Sequence, residues 1–171
     1  MLETPGEIED LQRLLDRSAE RAGPHTRSII TAERRLRAEQ VCEKLRGMRL
    51  LVIATVTADG RPISGPVDGY FLHGSFCFSL GATSVRARHL AARPAITATY
   101  LPGTELSVTV HGQAELFGLH ADSAQATELR QAMLDHYLPL QGPDFAKWLN
   151  EIDGVGARIA ADKMFTFSMD A

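Results

Sequence analysis

The residues with the clearest chemical potential form one run, Ser79-Leu80-Gly81-Ala82-Thr83-Ser84-Val85-Arg86-Ala87-Arg88-His89-Leu90. A strand ends at a hydroxyl residue, a loop of small residues follows, and a helix opens with a serine cap and a pair of arginines. Amide groups in the first turn of a helix have no intrahelical partner and point outward. The helix dipole adds positive potential at the same place. Ser79, Thr83 and Ser84 can donate hydroxyl hydrogen bonds, and Arg86 and Arg88 can clamp phosphate oxygens. The run therefore has the makings of a phosphate site. A plainer alternative is a helix that Ser84 caps and whose arginines are solvated, which is a common arrangement. The run alone leaves both open.

The elements that must position this run follow from pattern. Thr4-Pro5-Gly6-Glu7 is a capping-box start, and Ile8, Leu11, Leu14 and Leu15 fall on one helical face until Gly23-Pro24 ends it. A second helix is expected from Thr31, with Ala38, Val41, Cys42, Leu45 and Met48 as its stripe. At Leu50 the pattern changes to a β-branched run through Val56. Asp59-Gly60 then marks a hairpin, with Arg61 to Val67 returning. Pro62 and Pro66 lack amide donors, so that strand is irregular or partly at an edge. Tyr70 to His73 and Ser75 to Ser79 read as a second hairpin around Gly74. Ser84 to Ala92 is a short helix and Ala95 to Tyr100 a strand. Leu106 to Leu116 is a long strand bent at Gly112. A helix capped by Asp122, a shorter one from Pro143 to Leu149, and a last strand from Arg158 to Met169 complete the chain.

The sum is an α+β chain, mainly β, with about six strands. Frequent turns favour a small closed barrel over an open sheet. Residues 1–49 read as a helical extension and 50–171 as the barrel domain, within one globular unit.

Composition excludes several classes. In 171 residues, 44% are hydrophobic and 23% charged, so the chain folds around a core. The net charge of -3 argues against a nucleic-acid coat. No apolar run approaches a bilayer span, and Met1 to Pro5 is neither basic nor apolar, so no signal peptide is read. Cys42 and Cys77 form no CxxC. The expected setting is a reducing cytoplasm without a zinc site. No GxGxxG, P-loop or Ser-His-Asp arrangement is present.

The ordered set of pieces from Leu51 to Leu116 resembles the pyridoxamine 5'-phosphate oxidase-like family of FMN-binding split barrels. The first matching pieces are Ile53-Ala54-Thr55-Val56 with Asp59-Gly60-Arg61-Pro62, then Gly65-Pro66-Val67. Next come Phe76-Cys77-Phe78-Ser79 with Ser84, Arg86, Arg88, Leu90 and Pro94, and last Val108 to Ala114. The ending, Ala157-Arg158-Ile159 to Phe167, is similar to actinobacterial members. The resemblance implies a six-stranded split barrel with N- and C-terminal helices, acting as a homodimer with flavin at the subunit interface.

By position, Ser79, Ser84, Arg86 and Arg88 would hold the phosphate. Pro62, Ile63, Ser64, Gly65 and Val67 would flank the ring. Ser107 stands where the true oxidases place a glutamine. Trp148 and Arg158 would reach the neighbouring subunit's site. The C-terminal pattern with which the true oxidases bind pyridoxal phosphate is absent, so the implied function is flavin-dependent redox chemistry on another small molecule. The alternatives implied by related subgroups are a reductase using the deazaflavin coenzyme F-420, or a non-catalytic flavin- or haem-binding protein. His73 and His111 are the histidines considered as acid–base groups or haem ligands, against ordinary structural hydrogen bonding. Trp148 with Tyr137 and Phe145 is either a lid over a ring or helix packing.

Overall fold

The computed structural model describes residues 2–170. Helix α1 (Pro5–Glu20) starts as its sequence dictates. Glu7 N donates to Thr4 Oγ1, the Glu7 carboxylate accepts from Thr4 N at 2.7 Å, and Pro5 occupies the first helical position. After the Gly23-Pro24 break comes α2 (Pro24–Ile29). The single helix expected from Thr31 is instead a 3-10 turn over Ala32–Arg34 followed by α3 (Ala38–Lys44). Met48, read as part of that helix's stripe, opens strand β1 (Met48–Val56), where it pairs with Tyr70. Tertiary pairing overrides the helical spacing there.

The two strand pieces expected at 61–67 and 70–73 are one strand, β2 (Pro62–Leu72). Gly69 reads as a break, but it serves a close approach, since a Cβ there would collide with the Leu51 side chain. The β1–β2 loop is longer than a two-residue turn. Gly60 N donates to Thr57 O and Thr57 N to Arg61 O, and Asp59 keeps an ordinary φ. The tight turn is His73-Gly74, with φ of 51° and 74°, joining β2 to β3 (Ser75–Gly81).

Helix α4 (Val85–Ala92) leads to β4 (Ala95–Tyr100) and β5 (Leu106–Gly118). Then come α5 (Ala124–Gln141), α6 (Pro143–Glu151) and β6 (Gly154–Ser168). Ser123, and not Asp122, caps α5 by accepting from Ala126 N. The bend expected at Gly112 is a bulge in the β5–β6 register between His111 and Gly112. A Cβ at Gly112 would run into the Ala160 carbonyl, so the strands meet there only because the residue is glycine.

The strands close an antiparallel barrel in the order β1-β2-β3-β6-β5-β4, with β4 returning to β1. Leu51, Ile53, Phe71, Phe76, Phe78, Val110 and Ile159 fill it, and Leu11, Leu14 and Leu15 of α1 join the same core. Outside the barrel, Leu129, Met133, Phe145 and Leu149 of α5 and α6 pack on Tyr70, Leu72 and Cys77.

The barrel is split at one place. β2 pairs with β1 along Pro62 to Tyr70, but with β3 only from Gly69 onward. One edge of residues 62–68 is therefore free of strand pairing. The Pro66 carbonyl faces that edge, because Arg86 reaches it from α4. The amide and carbonyl of one strand residue project to the same side, so Pro62 and Pro66 both turn their missing donors to the open edge and no ladder bond is lost.

Candidate functional site

The run from Ser79 to Arg88 stands at this split. Tight backbone bonds shape the loop: Ser84 N donates to Gly81 O at 2.9 Å and Ala82 N to Asp153 O at 3.1 Å. Ser84 Oγ accepts from Ala87 N at 3.2 Å, and Arg88 N is the first amide of α4 to find an intrahelical carbonyl. The amides of Val85 and Arg86 remain without a hydrogen-bond partner among the described residues. Ser84 therefore caps the helix, and beside it two amides of the first turn are without a partner among the described residues.

The arginines differ. Arg86 extends across the split, donating from Nη1 to Pro66 O at 2.7 Å, and its guanidinium lies 3.6 Å from where a Gly65 side chain would begin. Arg88 folds back, donating to Thr83 O. Neither has a carboxylate within 4.0 Å among the described residues. Two residues that sequence reasoning missed hold α4 in place. His89 Nδ1 meets the buried Thr55 hydroxyl at 3.0 Å, and Arg93 Nε donates to Val56 O at 3.0 Å. Thus one side of α4 is tied to the β1–β2 hairpin at Thr55, Val56 and Pro66. Only a helix wheel read against a known barrel would have signalled this.

Ser79 lies on the outer side of β3 and lines a cavity of about 370 Å³ with Asp68, Tyr70, Met133, Tyr137, Gln141, Phe145 and Trp148. Trp148, 47% exposed, stacks near Phe145 at 5.3 Å, and Phe145 near Tyr137 at 4.8 Å. Ser79 and Trp148, predicted separately, thus share one cavity in a single chain. Tyr137 donates its phenol proton to Asp68, and burial together with that bond pushes its pKa up to about 12. Tyr70 is buried with its hydroxyl unpaired, and burial first, then the nearby Tyr137 and Asp68, holds its pKa well above the ordinary range. Both phenols are proton-bearing at neutral pH.

The other predicted residues lie apart. Pro62, Ile63, Ser64, Gly65 and Val67 run along the open half of β2. Ser107 sits on β5 opposite Phe167. Arg158 lies on β6, where its guanidinium donates to Glu115 at 3.2 Å in a different depression with Glu7 and His73. His73 is flanked by Glu7 at 3.0 Å and Glu128 at 3.4 Å, and His111 Nδ1 meets Thr97 Oγ1 at 2.9 Å. No group of three metal-binding side chains occurs among the described residues. Burial pushes both thiols, Cys42 and Cys77, up to about 12, which keeps them protonated at neutral pH. No helix among the described residues is long and apolar enough to cross a membrane.

Beside the site, β1 turns Leu50 (58% exposed) and Val52 (49%) outward, and Leu101 after β4 is also exposed. Val52 pairs with Pro66 on one side and Thr99 on the other, so this apolar strip continues directly into the open half of β2.

No curated protein matches the sequence. Among solved structures the fold is similar to a conserved hypothetical protein, Rv2991, of Mycobacterium tuberculosis. The two share 19% identity over 81% of this chain and 88% of that one, with a TM-score of 0.67. It is also similar to HutZ, titled a haem storage protein, of Vibrio cholerae, at 16% identity, 78% and 95% coverage and a TM-score of 0.60. An F-420 reductase matches at 22% identity, 70% and 91% coverage and a TM-score of 0.53. At these identities the likeness concerns the fold. The sequence itself is matched over residues 38–149 by the model of the pyridoxamine 5'-phosphate oxidase family. That match takes in the split, the anchored helix and the cavity beside Ser79, and the chain belongs to this family.

Proposed function

We propose that this chain is a flavin-dependent oxidoreductase that binds FMN at the interface of a homodimer. The observation that carries the reading is Arg86. It joins the start of α4, where the Val85 and Arg86 amides have no hydrogen-bond partner among the described residues, to the edge of β2 left without a strand partner there.

The residues fit the group. Ser79, Thr83 and Ser84 supply hydroxyls, the amides of Val85 and Arg86 supply fixed dipoles, and Arg86 and Arg88 supply charge for a phosphate. Pro62 to Val67 offer a flat backbone edge for a planar ring, with Ser64 the amide donor between the prolines. Bound flavin supplies hydride transfer, and the protein supplies binding, orientation and polarity. Leu50 and Val52 flank that edge and would seat the second copy, whose Trp148 or Arg158 would reach the ring, while Ser107 would face it from β5. A deazaflavin carries a comparable ring on a phosphate tail, so the same cradle suits coenzyme F-420. Haem would rely on a histidine: His73 has both ring nitrogens on carboxylates, while His111 is held through Nδ1 alone, so a haem carrier stands as the alternative reading.

The test is mass spectrometry of what the purified protein releases on denaturation, followed by turnover with NADPH and a panel of quinones and enones. Release of FMN with turnover supports the proposal. Release of coenzyme F-420 moves the cofactor and keeps the chemistry. Release of haem, or flavin without turnover, overturns the oxidoreductase reading in favour of a carrier.

A further inference from the structure

A second cavity, of about 330 Å³, lies between the N-terminal helices and β6. Its walls come from residues 12–37 and 164–166, all outside the segment matched by the family model. Leu15, Ala19, Ala22, Ile30, Leu36 and Phe165 give it an apolar lining, interrupted by Thr26, Thr31 and Thr166. The rim is cationic, with Arg27, Arg35 and Arg37 all lining it. Asp16 is the one carboxylate there, and it accepts from Gln12 Nε2 at 3.0 Å. Gln12 is itself fixed, its Oε1 accepting from Ala38 N at 2.9 Å. None of the three guanidiniums has a carboxylate within 4.0 Å among the described residues. In a chain of net charge -3, a local excess of positive charge around an apolar recess is a departure from the average surface.

We propose that this cavity binds a medium-chain carboxylate, with the alkyl chain against Leu15, Ile30 and Phe165 and the head group on the arginine rim. Each half of the ligand answers one half of the site. The recess gains from removing an alkyl chain from water, and guanidinium forks match a carboxylate in a bidentate manner. The volume is at the small end of ligand sites and suits a body of roughly ten carbons. Binding here would also brace the fold, because the cavity walls are cross-linked already. Leu36 N donates to Thr166 Oγ1 at 2.9 Å, and Met164 N to Ser18 Oγ at 3.0 Å. A ligand bridging α1, the Leu36 segment and β6 raises the unfolding temperature by mass action.

The proposal is independent of the flavin reading, and the test separates them. Decanoate, below its micellar concentration, is titrated into the full chain by calorimetry and thermal shift. Decanol and inorganic phosphate serve as half-ligands. Saturable binding of one decanoate per chain, with a raised Tm and weaker binding of both half-ligands, is expected. The double variant Arg35→Gln with Arg37→Gln should weaken decanoate about tenfold or more while leaving the unliganded Tm and the FMN affinity unchanged. Ala19→Phe, which fills the recess, should abolish decanoate binding. If Ala19→Phe does not fold, the arginine variant and the decanol comparison still decide. Decanol binding as tightly as decanoate, phosphate binding equally well, or no saturable decanoate binding would each overturn the proposal.

Discussion

Replacing Arg86 with alanine is the most direct test of the cradle. The side chain does two things. Nη1 donates to Pro66 O at 2.7 Å, a bond to a neutral carbonyl at a half-exposed position. Its charge stands at the open edge of β2 beside Gly65 and Pro66, with no carboxylate within 4.0 Å among the described residues to neutralise it. The first contribution bears on the fold and is worth about 0.5–1.5 kcal/mol net. The second bears on an anionic ligand, where a hydrogen bond to a charged group is worth about 1.5–3 kcal/mol. FMN affinity should therefore fall by roughly 10- to 150-fold, while urea-unfolding stability falls by no more than about 1.5 kcal/mol. Arg86→Lys keeps the charge and loses the fork, so it should lie between the two. Quenching of flavin fluorescence on titration reads the affinities, and repeating it at raised salt should narrow the gap between wild type and Arg86→Ala. Equal FMN affinities for wild type and Arg86→Ala, with both proteins folded, would remove Arg86 from the site and with it the argument for the cradle.

Three further outcomes are expected. Leu50→Asp places a charge on the exposed strip beside Pro66 and should shift light-scattering mass from dimer toward monomer; an unchanged dimer would put the interface elsewhere. Gly112→Ala should destabilise the barrel by about 1–3 kcal/mol, the usual range for overpacking, because its Cβ meets the Ala160 carbonyl; a neutral result by chemical denaturation would mean that the bulge relaxes freely. The backbone bond from Thr4, helped by the Thr4 hydroxyl and then by His73, holds the Glu7 carboxyl below the usual range against the opposing effect of burial. A depressed folded pKa gives stability that is present above the unfolded value of about 4.3 and is lost as pH falls through the folded one. Glu7→Gln should therefore flatten the acid side of the stability profile below about pH 4.3, and an unchanged slope there would show that the capping box is not the titrating element.

How much of this was legible in the sequence depends on range. Local signals read well. The Thr4-Glu7 capping box and the Ser84 cap rest on bonds between residues three apart, and the bend at Gly112 is marked by the glycine itself although its cause, the Ala160 carbonyl, lies on β6. Elements whose extent is set by partners read poorly. Met48 has helical spacing but pairs with Tyr70, and Gly69 looks like a break until Leu51 is seen lying over it. The site divides the same way. Ser79, Ser84, Arg86 and Arg88 are visible as one run. That Arg86 reaches Pro66, or that Asp68 takes the proton of Tyr137, depends on β2 being brought beside α4 and α5, and no short-range pattern encodes it. The cavity under Arg35 was invisible for the same reason, since α1, the Leu36 segment and β6 together form its walls.

The open half of β2 has a consequence for how the chain behaves when nothing is bound there. An unpaired strand edge is ordinarily a template for another chain, and the route by which barrels polymerise. Here the row that faces outward carries proline at 62 and at 66, so an arriving strand would find donors missing at alternate rungs, and Arg86 already occupies the Pro66 acceptor. The gap is consequently closed to backbone zippering while staying accessible to a flat molecule that needs no ladder, which lets the protein keep an aperture in its wall without paying in insolubility.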